Sequence, residues 1–207
     1  MARFLVTAGP TIEAIDPVRF LSNRSSGKMG YAICDALITA GHEVVLVSGP
    51  TVLQPPHGVQ IVAVESALEM LEACIEAFEK CDGLFAVAAV SDYRPAEFSS
   101  QKVKRDAGDK IIRLTPNPDI VKTLAAEKKQ RLVVGFALES ERGEQYARQK
   151  MIDKNLDFVC LNSPSAQGAD ESQLQVISNT LSEQIGPSSK SMLATQLVGF
   201  ILKNSDV

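Results

Sequence analysis

The residues best suited to chemistry cluster early in the chain, in Ser22-Asn23-Arg24-Ser25-Ser26-Gly27-Lys28-Met29-Gly30, which runs straight into Tyr31-Ala32-Ile33-Cys34-Asp35-Ala36-Leu37-Ile38. A small-residue loop that opens a helix suits an anion. The first amides of a helix lack intrahelical partners and carry the positive end of its dipole. Ser25, Ser26, Gly27 and Gly30 leave room for phosphate oxygens, Lys28 adds a mobile cation, and Asn23 adds a neutral carboxamide that both donates and accepts. Serine and glycine are also common at helix starts for capping alone. An ordinary capped helix therefore stays open as the plainer reading.

Two familiar phosphate motifs fail on spacing. A P-loop needs glycine five positions before the Gly-Lys pair and Ser or Thr after it, where this chain has Ser22 and Met29. The strand-like Phe4-Leu5-Val6-Thr7 leads into Ala8-Gly9-Pro10-Thr11, which lacks the second and third glycines of a dinucleotide fingerprint. A nicotinamide cofactor is not indicated.

Positioning such a loop requires a scaffold, and 207 residues with 45% hydrophobic content suffice for one domain. Apolar runs alternate with amphipathic stretches: Phe4 to Thr7, a helix from about Lys28 to Ala40, Glu43 to Ser48, Gln60 to Val64, and a helical Ser66 to Lys80 with its glutamates off the apolar face. Gly83 to Val90, Leu132 to Phe136 and Phe158 to Leu161 are apolar without alternation, as in parallel strands covered on both faces. A helix over 141–155 falls between the last two. The expected fold is α/β: a doubly wound, mostly parallel, Rossmann-like sheet with helices on both faces and function at the strand C-terminal ends.

Two stretches interrupt this order. Pro95 to Gly108 is polar and long, as lids often are, with Lys110 to Leu114 as a strand returning from it. Asn162 to Ser172 is a small-residue loop before an alternating strand, Gln173 to Ser178; Lys190 to Lys203 closes the chain as a helix. A net charge of −4 argues against nucleic-acid binding. No apolar segment is long enough for a signal peptide or a membrane span, which places the protein in the cytoplasm. Cys34, Cys74, Cys81 and Cys160 lack metal or disulfide spacing and read as core residues. His42 and His57 have no partner nearby in sequence, so a histidine base is unsupported, and no carboxylate cluster marks a protein-held metal.

Taken in order, Val6 to Thr11, Ile15-Asp16-Pro17-Val18-Arg19, Ser22 to Gly30, Ala88-Ala89-Val90-Ser91-Asp92-Tyr93-Arg94, Asn117-Pro118-Asp119-Ile120-Val121 and Val134-Gly135-Phe136-Ala137 form a series. The series resembles phosphopantothenate–cysteine ligase, from the first strand to about Asn162. The resemblance implies a single nucleotide-binding ligase domain over 1–207, with 95–109 as a flexible lid. It also implies a reaction in coenzyme A biosynthesis: CTP-dependent amide formation between 4′-phosphopantothenate and L-cysteine through an acyl-cytidylate, with Mg²⁺ bridging phosphates. Asn23 would hold the intermediate, and Lys102, in Lys102-Val103-Lys104-Arg105, would be the lid's catalytic lysine; an arginine stands where the family's last lysine is. Nucleotide contacts would come from Ser25, Ser26, Gly27, Lys28, Ala86, Val87, Ala88, Asp92, Pro118, Asp119, Ile120, Val121, Phe136, Lys150 and Lys154. Asn162-Ser163-Pro164-Ser165 departs from the bacterial pattern. A homodimer is implied, with the region from the lid to the Gln173 strand as a source of the intersubunit edge. The flavin-dependent decarboxylase half of the common fusion is absent, which reads as a ligase alone, the decarboxylase being a separate partner.

Two rivals stand beside this reading. Tyr146-Ala147-Arg148-Gln149-Lys150 satisfies the Tyr-x-x-x-Lys of a short-chain reductase, where the lysine would lower the tyrosine pKa, although Val133 and Val134 occupy the region in which such enzymes place a serine. A catalytically silent nucleotide-binding partner is the other, since a fold does not certify chemistry.

Overall fold

The computed structural model describes residues 1–105, 108–138, 143–162 and 171–206. In chain order the first elements are β1 (Arg3–Ala8), β2 (Ile12–Ala14), β3 (Phe20–Ser22), α1 (Lys28–Thr39), β4 (Glu43–Ser48), β5 (Gln60–Ala63) and α2 (Ala67–Phe78). They are followed by β6 (Gly83–Ala86), β7 (Tyr93–Pro95), β8 (Leu114–Pro116), α3 (Ile120–Ala126) and β9 (Leu132–Leu138). The rest are α4 (Gly143–Asp153), β10 (Phe158–Asn162), β11 (Glu171–Ile177), β12 (Ser182–Ser189) and α5 (Lys190–Lys203).

One eight-stranded sheet carries the molecule, in the order β12-β11-β10-β9-β6-β1-β4-β5. From β5 to β10 neighbouring strands are parallel, while β11 and β12 are antiparallel. The apolar runs account for the parallel part, because β1, β4, β6 and β9 are buried on both faces and have no polar side to show. One core cluster joins the sheet to α1 and α5, the other joins it to α2, α3 and α4. On α5, Leu193, Leu197 and Ile201 are fully buried, each side chain contributing roughly 1.5–3 kcal/mol relative to exposure. The doubly wound expectation holds, and no helix among the described residues is long and apolar enough to cross a membrane.

Two small antiparallel ribbons, β2-β3 and β7-β8, lie outside the sheet. The returning strand expected at Lys110 to Leu114 falls instead at Leu114–Pro116, paired with Tyr93–Pro95. Ile111 is 95% exposed. Pairing with β7 rather than burial selects the strand here, because Leu114 at 44% is as exposed as Ile112 at 45%. β12 escaped the sequence reading because Ser182–Ser189 is polar and contains Gly186-Pro187; it pairs with β11 across a register shift between Ser172 and Leu174. Residues 163–170 of the expected loop, and the first part of the helix expected over 141–155, lie outside the described residues. All four cysteines are buried, and burial raises the Cys160 thiol far above its ordinary range. The partners of His42 are distant in sequence: its Nδ1 accepts the Ala2 amide at 3.2 Å and its ring meets Phe4 edge-on.

Candidate functional site

The C-terminal ends of β6, β9 and β10 and the mouth of α1 enclose a cavity of about 230 Å³. Its wall includes Arg24 to Gly30, Val87 to Ala89, Phe136 to Leu138, Asn162 and Lys190. Gly27 precedes α1 with φ of 77°, and no side chain caps the helix. The first helical bond runs from the Tyr31 amide to the Gly27 carbonyl, 3.2 Å, so the preceding amides stand at the mouth without helical acceptors. Ser25, Ser26, Gly27 and Lys28, the residues of the expected turn, all line the cavity. Ser25 accepts the Gly27 amide at 3.3 Å rather than capping a later turn.

Behind this mouth, buried hydroxyls of β1 fix the neighbouring strand end. The Thr7 hydroxyl accepts the amides of Val87 (3.1 Å) and Ala88 (3.2 Å). Those two amides are therefore engaged within the protein, and the expected backbone contacts at Ala86, Val87 and Ala88 are left to carbonyls and to van der Waals surface. Thr11 accepts the Ser91 amide at 2.9 Å. Asn23 lies at the rim and donates its carboxamide N–H to the carbonyl of Ala89 at 3.0 Å. One N–H thus orients the group, and the second N–H and the oxygen stay available.

Across the strand ends, the α3–α4 side carries the other expected residues. Asp119 caps α3 by accepting the Lys122 amide at 3.0 Å and pairs with Lys154 at 2.8 Å. Burial raises the Asp119 carboxyl, but the Lys154 hydrogen bond, the Lys122 amide and the charges of Lys154 and Lys150 outweigh it and hold the group below its ordinary range. Lys150 donates to the Phe136 carbonyl at 2.7 Å, which ties α4 to the end of β9 beside the cavity. Ile120 is buried and Val121 packs against the same core, and Pro118 to Val121 do not line the cavity. Asp92 is exposed, and its carbonyl accepts the Asn117 amide at 2.8 Å. Phe136 both packs on the core and lines the cavity.

Lys102 does not line the cavity. It is exposed, on a segment whose next residue is held by the loop between β2 and β3. Asp16, 2% exposed, accepts the amides of Val18 (2.9 Å), Arg19 (2.9 Å) and Val103 (3.1 Å), and the Arg19 guanidinium at 2.6 Å. Burial raises this carboxyl, yet the Val18, Val103 and Arg19 amides and the Arg19 side chain bring it down to about 2. Because the folded value lies below the unfolded value of about 3.9, the stabilisation is complete above pH ~4 and disappears as pH falls toward 2. The melting temperature of Asp16→Asn will lie below that of the wild type at pH 7, and the gap will narrow below pH 4; a gap independent of pH would contradict the assignment.

Several site residues gave no usable sequence signal: Thr7 and Thr11 lie in or beside a buried strand, and Lys190 opens a distant helix. Asn117 had one, in Asn-Pro-Asp; it donates to the Ser91 carbonyl at 2.8 Å and accepts Arg94 at 3.0 Å. Among the described residues no group of three or more His, Cys, Asp or Glu side chains is placed to hold a metal ion. Tyr146 is exposed, and Lys150 donates to the Phe136 main-chain carbonyl. A larger cavity, about 1360 Å³, opens at the N-terminal ends of the strands near Ala2, Asp82 and Arg131, away from the edge where such sheets gather ligands.

Fold and site together define an α/β domain in which a helix mouth and the C-terminal strand ends line one cavity. The chain belongs to the DNA/pantothenate metabolism flavoprotein C-terminal domain family, whose model matches residues 1–204. It is 50% identical over 166 residues to the coenzyme A biosynthesis bifunctional protein CoaBC of Escherichia coli (strain K12), a match covering 78% of this chain and 41% of that protein. A crystal structure of the C-terminal domain of CoaBC superposes with a TM-score of 0.85 at 38% identity, covering 99% of this chain and 97% of that one. The Cab2 mutant H337A in complex with phosphopantothenate-cysteine shares the fold, with a TM-score of 0.85 at 15% identity over 98% of this chain and 86% of that one. The chain spans about half the length of the curated relatives it matches. The family match gives no support to the reductase reading.

Proposed function

We propose that this domain joins 4′-phosphopantothenate to L-cysteine at the expense of CTP. The observation that carries the reading is the uncapped α1 mouth with Asn23 anchored at its rim, in a chain of this family. The nucleotide phosphates lie against Ser25 to Lys28, and Phe136 and the Pro118–Val121 segment face the nucleoside. A carboxylate oxygen of phosphopantothenate attacks the α-phosphorus, the bond to the β-phosphate oxygen breaks, and pyrophosphate leaves. The cysteine amine then attacks the acyl carbon, CMP departs and the amide remains. The free N–H of Asn23 serves the charge that develops in these steps, since a fixed donor needs no reorganisation as charge appears. Lys102 reaches the phosphates when its segment closes over them. Mg²⁺ enters as the nucleotide's own counter-ion. Lys150 and Lys154 add positive potential, although both are partly committed to Phe136 and Asp119.

The domain acts as a homodimer in this reading. Exposed apolar side chains gather on the ribbons and the segments beside them, among them Val18, Phe20, Tyr93, Phe98, Ile111 and Leu114, and such a patch gains from being covered.

The deciding experiment incubates the protein with 4′-phosphopantothenate, cysteine, Mg²⁺ and either CTP or ATP, and measures pyrophosphate and the amide. Both products are expected, with CTP preferred. Saturable NADPH binding without any response to CTP would overturn the reading in favour of the reductase; nucleotide binding without turnover would favour the silent partner.

A further inference from the structure

The cavity at the α1 mouth is bounded on one side by a residue from the far end of the chain. Lys190 is the first residue of α5 and lines the same wall as Arg24 and Lys28. It is partly buried, and among the described residues it belongs to no ion pair. No Asp or Glu is among the described residues lining the cavity, while three cations are.

Its position runs against the field of its own helix. A cation is favoured at a helix C-terminus and disfavoured at the N-terminus, and α5 begins at Lys190, with Ser189 as its cap accepting the Met192 amide at 3.4 Å. Because α1 and α5 pack on the same face of the sheet, a second helix N-terminus, that of α1, opens on this cavity together with Lys28. Two helix starts, two lysines and an arginine concentrate positive potential around one space without an internal counter-charge. An anion of high charge is the ligand that offsets this, and a triphosphate is the anion the proposed reaction supplies.

We infer that Lys190 is a phosphate-binding residue for the nucleoside triphosphate, contributed by the C-terminal helix, which the first-strand-to-Asn162 resemblance does not reach. The inference rests on the proposed CTP-dependent reaction. Lys190 acts as a mobile point charge with three donors, completing from the α5 side a cradle whose other side is the α1 mouth.

The test compares wild type, Lys190→Met, Lys190→Gln and Lys190→Arg by calorimetric titration with CTP and with cytidine, and by steady-state kinetics. The two neutral variants are expected to lose roughly tenfold or more in CTP affinity, as for one charge-assisted hydrogen bond. Arginine should restore most of it, cytidine binding should be unchanged, and the loss should shrink with added salt. Equal CTP affinity in wild type and both neutral variants, with all four chains folded by circular dichroism, would overturn the inference. So would a rise confined to the KM for phosphopantothenate. If wild type itself neither binds nor turns over CTP, the proposed reaction fails first, which separates the two outcomes.

Discussion

Replacing Asn23 with aspartate lowers turnover in the coupled assay by about 10²–10³-fold, the range for removing one preorganised donor from a developing oxyanion. Two effects act together. In the wild type the carboxamide N–H holds the Ala89 carbonyl at 3.0 Å; a carboxylate there sets oxygen against oxygen and has no proton to give at neutral pH. In the proposed reaction the new charge also faces the phosphates at the α1 mouth. Asn23 is exposed, so the substitution touches no core, and the melting temperature should move by no more than a few degrees (about 0.5 kcal/mol or less for exposed sites). Turnover within threefold of wild type would remove Asn23 from the reaction. A large loss of stability would instead make it a structural rim residue.

The legible part of the molecule was the part written in hydrophobic period. β1, β4, β6 and β9 stand out because burial on both faces leaves no polar alternation, and α5 begins and ends at the residues the pattern indicated, Lys190 and Lys203. The start of α1 was legible because small residues before an apolar run mark a helix N-terminus, whether for capping or for a ligand. What was not legible depends on distance. β2 and β3 are three residues each, too short to show a period, and their loop is ordered by Asp16, which meets Val103 across 87 positions. β12 is polar because one of its faces has nothing to bury. Lys190 reaches the cavity only because α5 packs on the same face as α1, a fact of topology that no local window contains. The lysine segment shows the opposite limit: Lys102 was readable as a charge, but its backbone neighbour, tied to the loop between β2 and β3, decides where that charge begins its approach.

The second large effect is expected at Gly30, within the first turn of α1. A Cβ added there would lie 2.5 Å from the Cβ of Ala8 and 3.2 Å from both the Ala8 Cα and the Thr7 carbonyl oxygen. Ala8 is fully buried on β1 between β4 and β6, so none of the three contacts is a flexible side-chain end that could move aside. The helix must yield, and its start lines the candidate cavity. Overpacking of this kind costs roughly 1–3 kcal/mol, which for a chain of this size lowers the melting temperature by about 2–4 °C per kcal/mol. The same displacement moves the Gly27 to Met29 amides away from the strand ends, so Gly30→Ala should also raise the KM for CTP. Gly30 is thereby a packing residue whose smallness sets the distance between helix mouth and strand tips. Gly199→Ala serves as the control, because a Cβ there meets nothing within 4 Å and alanine is the better helix former. Loss of both melting temperature and CTP affinity in Gly30→Ala, against neither in Gly199→Ala, ties the close approach of α1 and β1 to ligand binding. Equal behaviour of the two variants would break that tie.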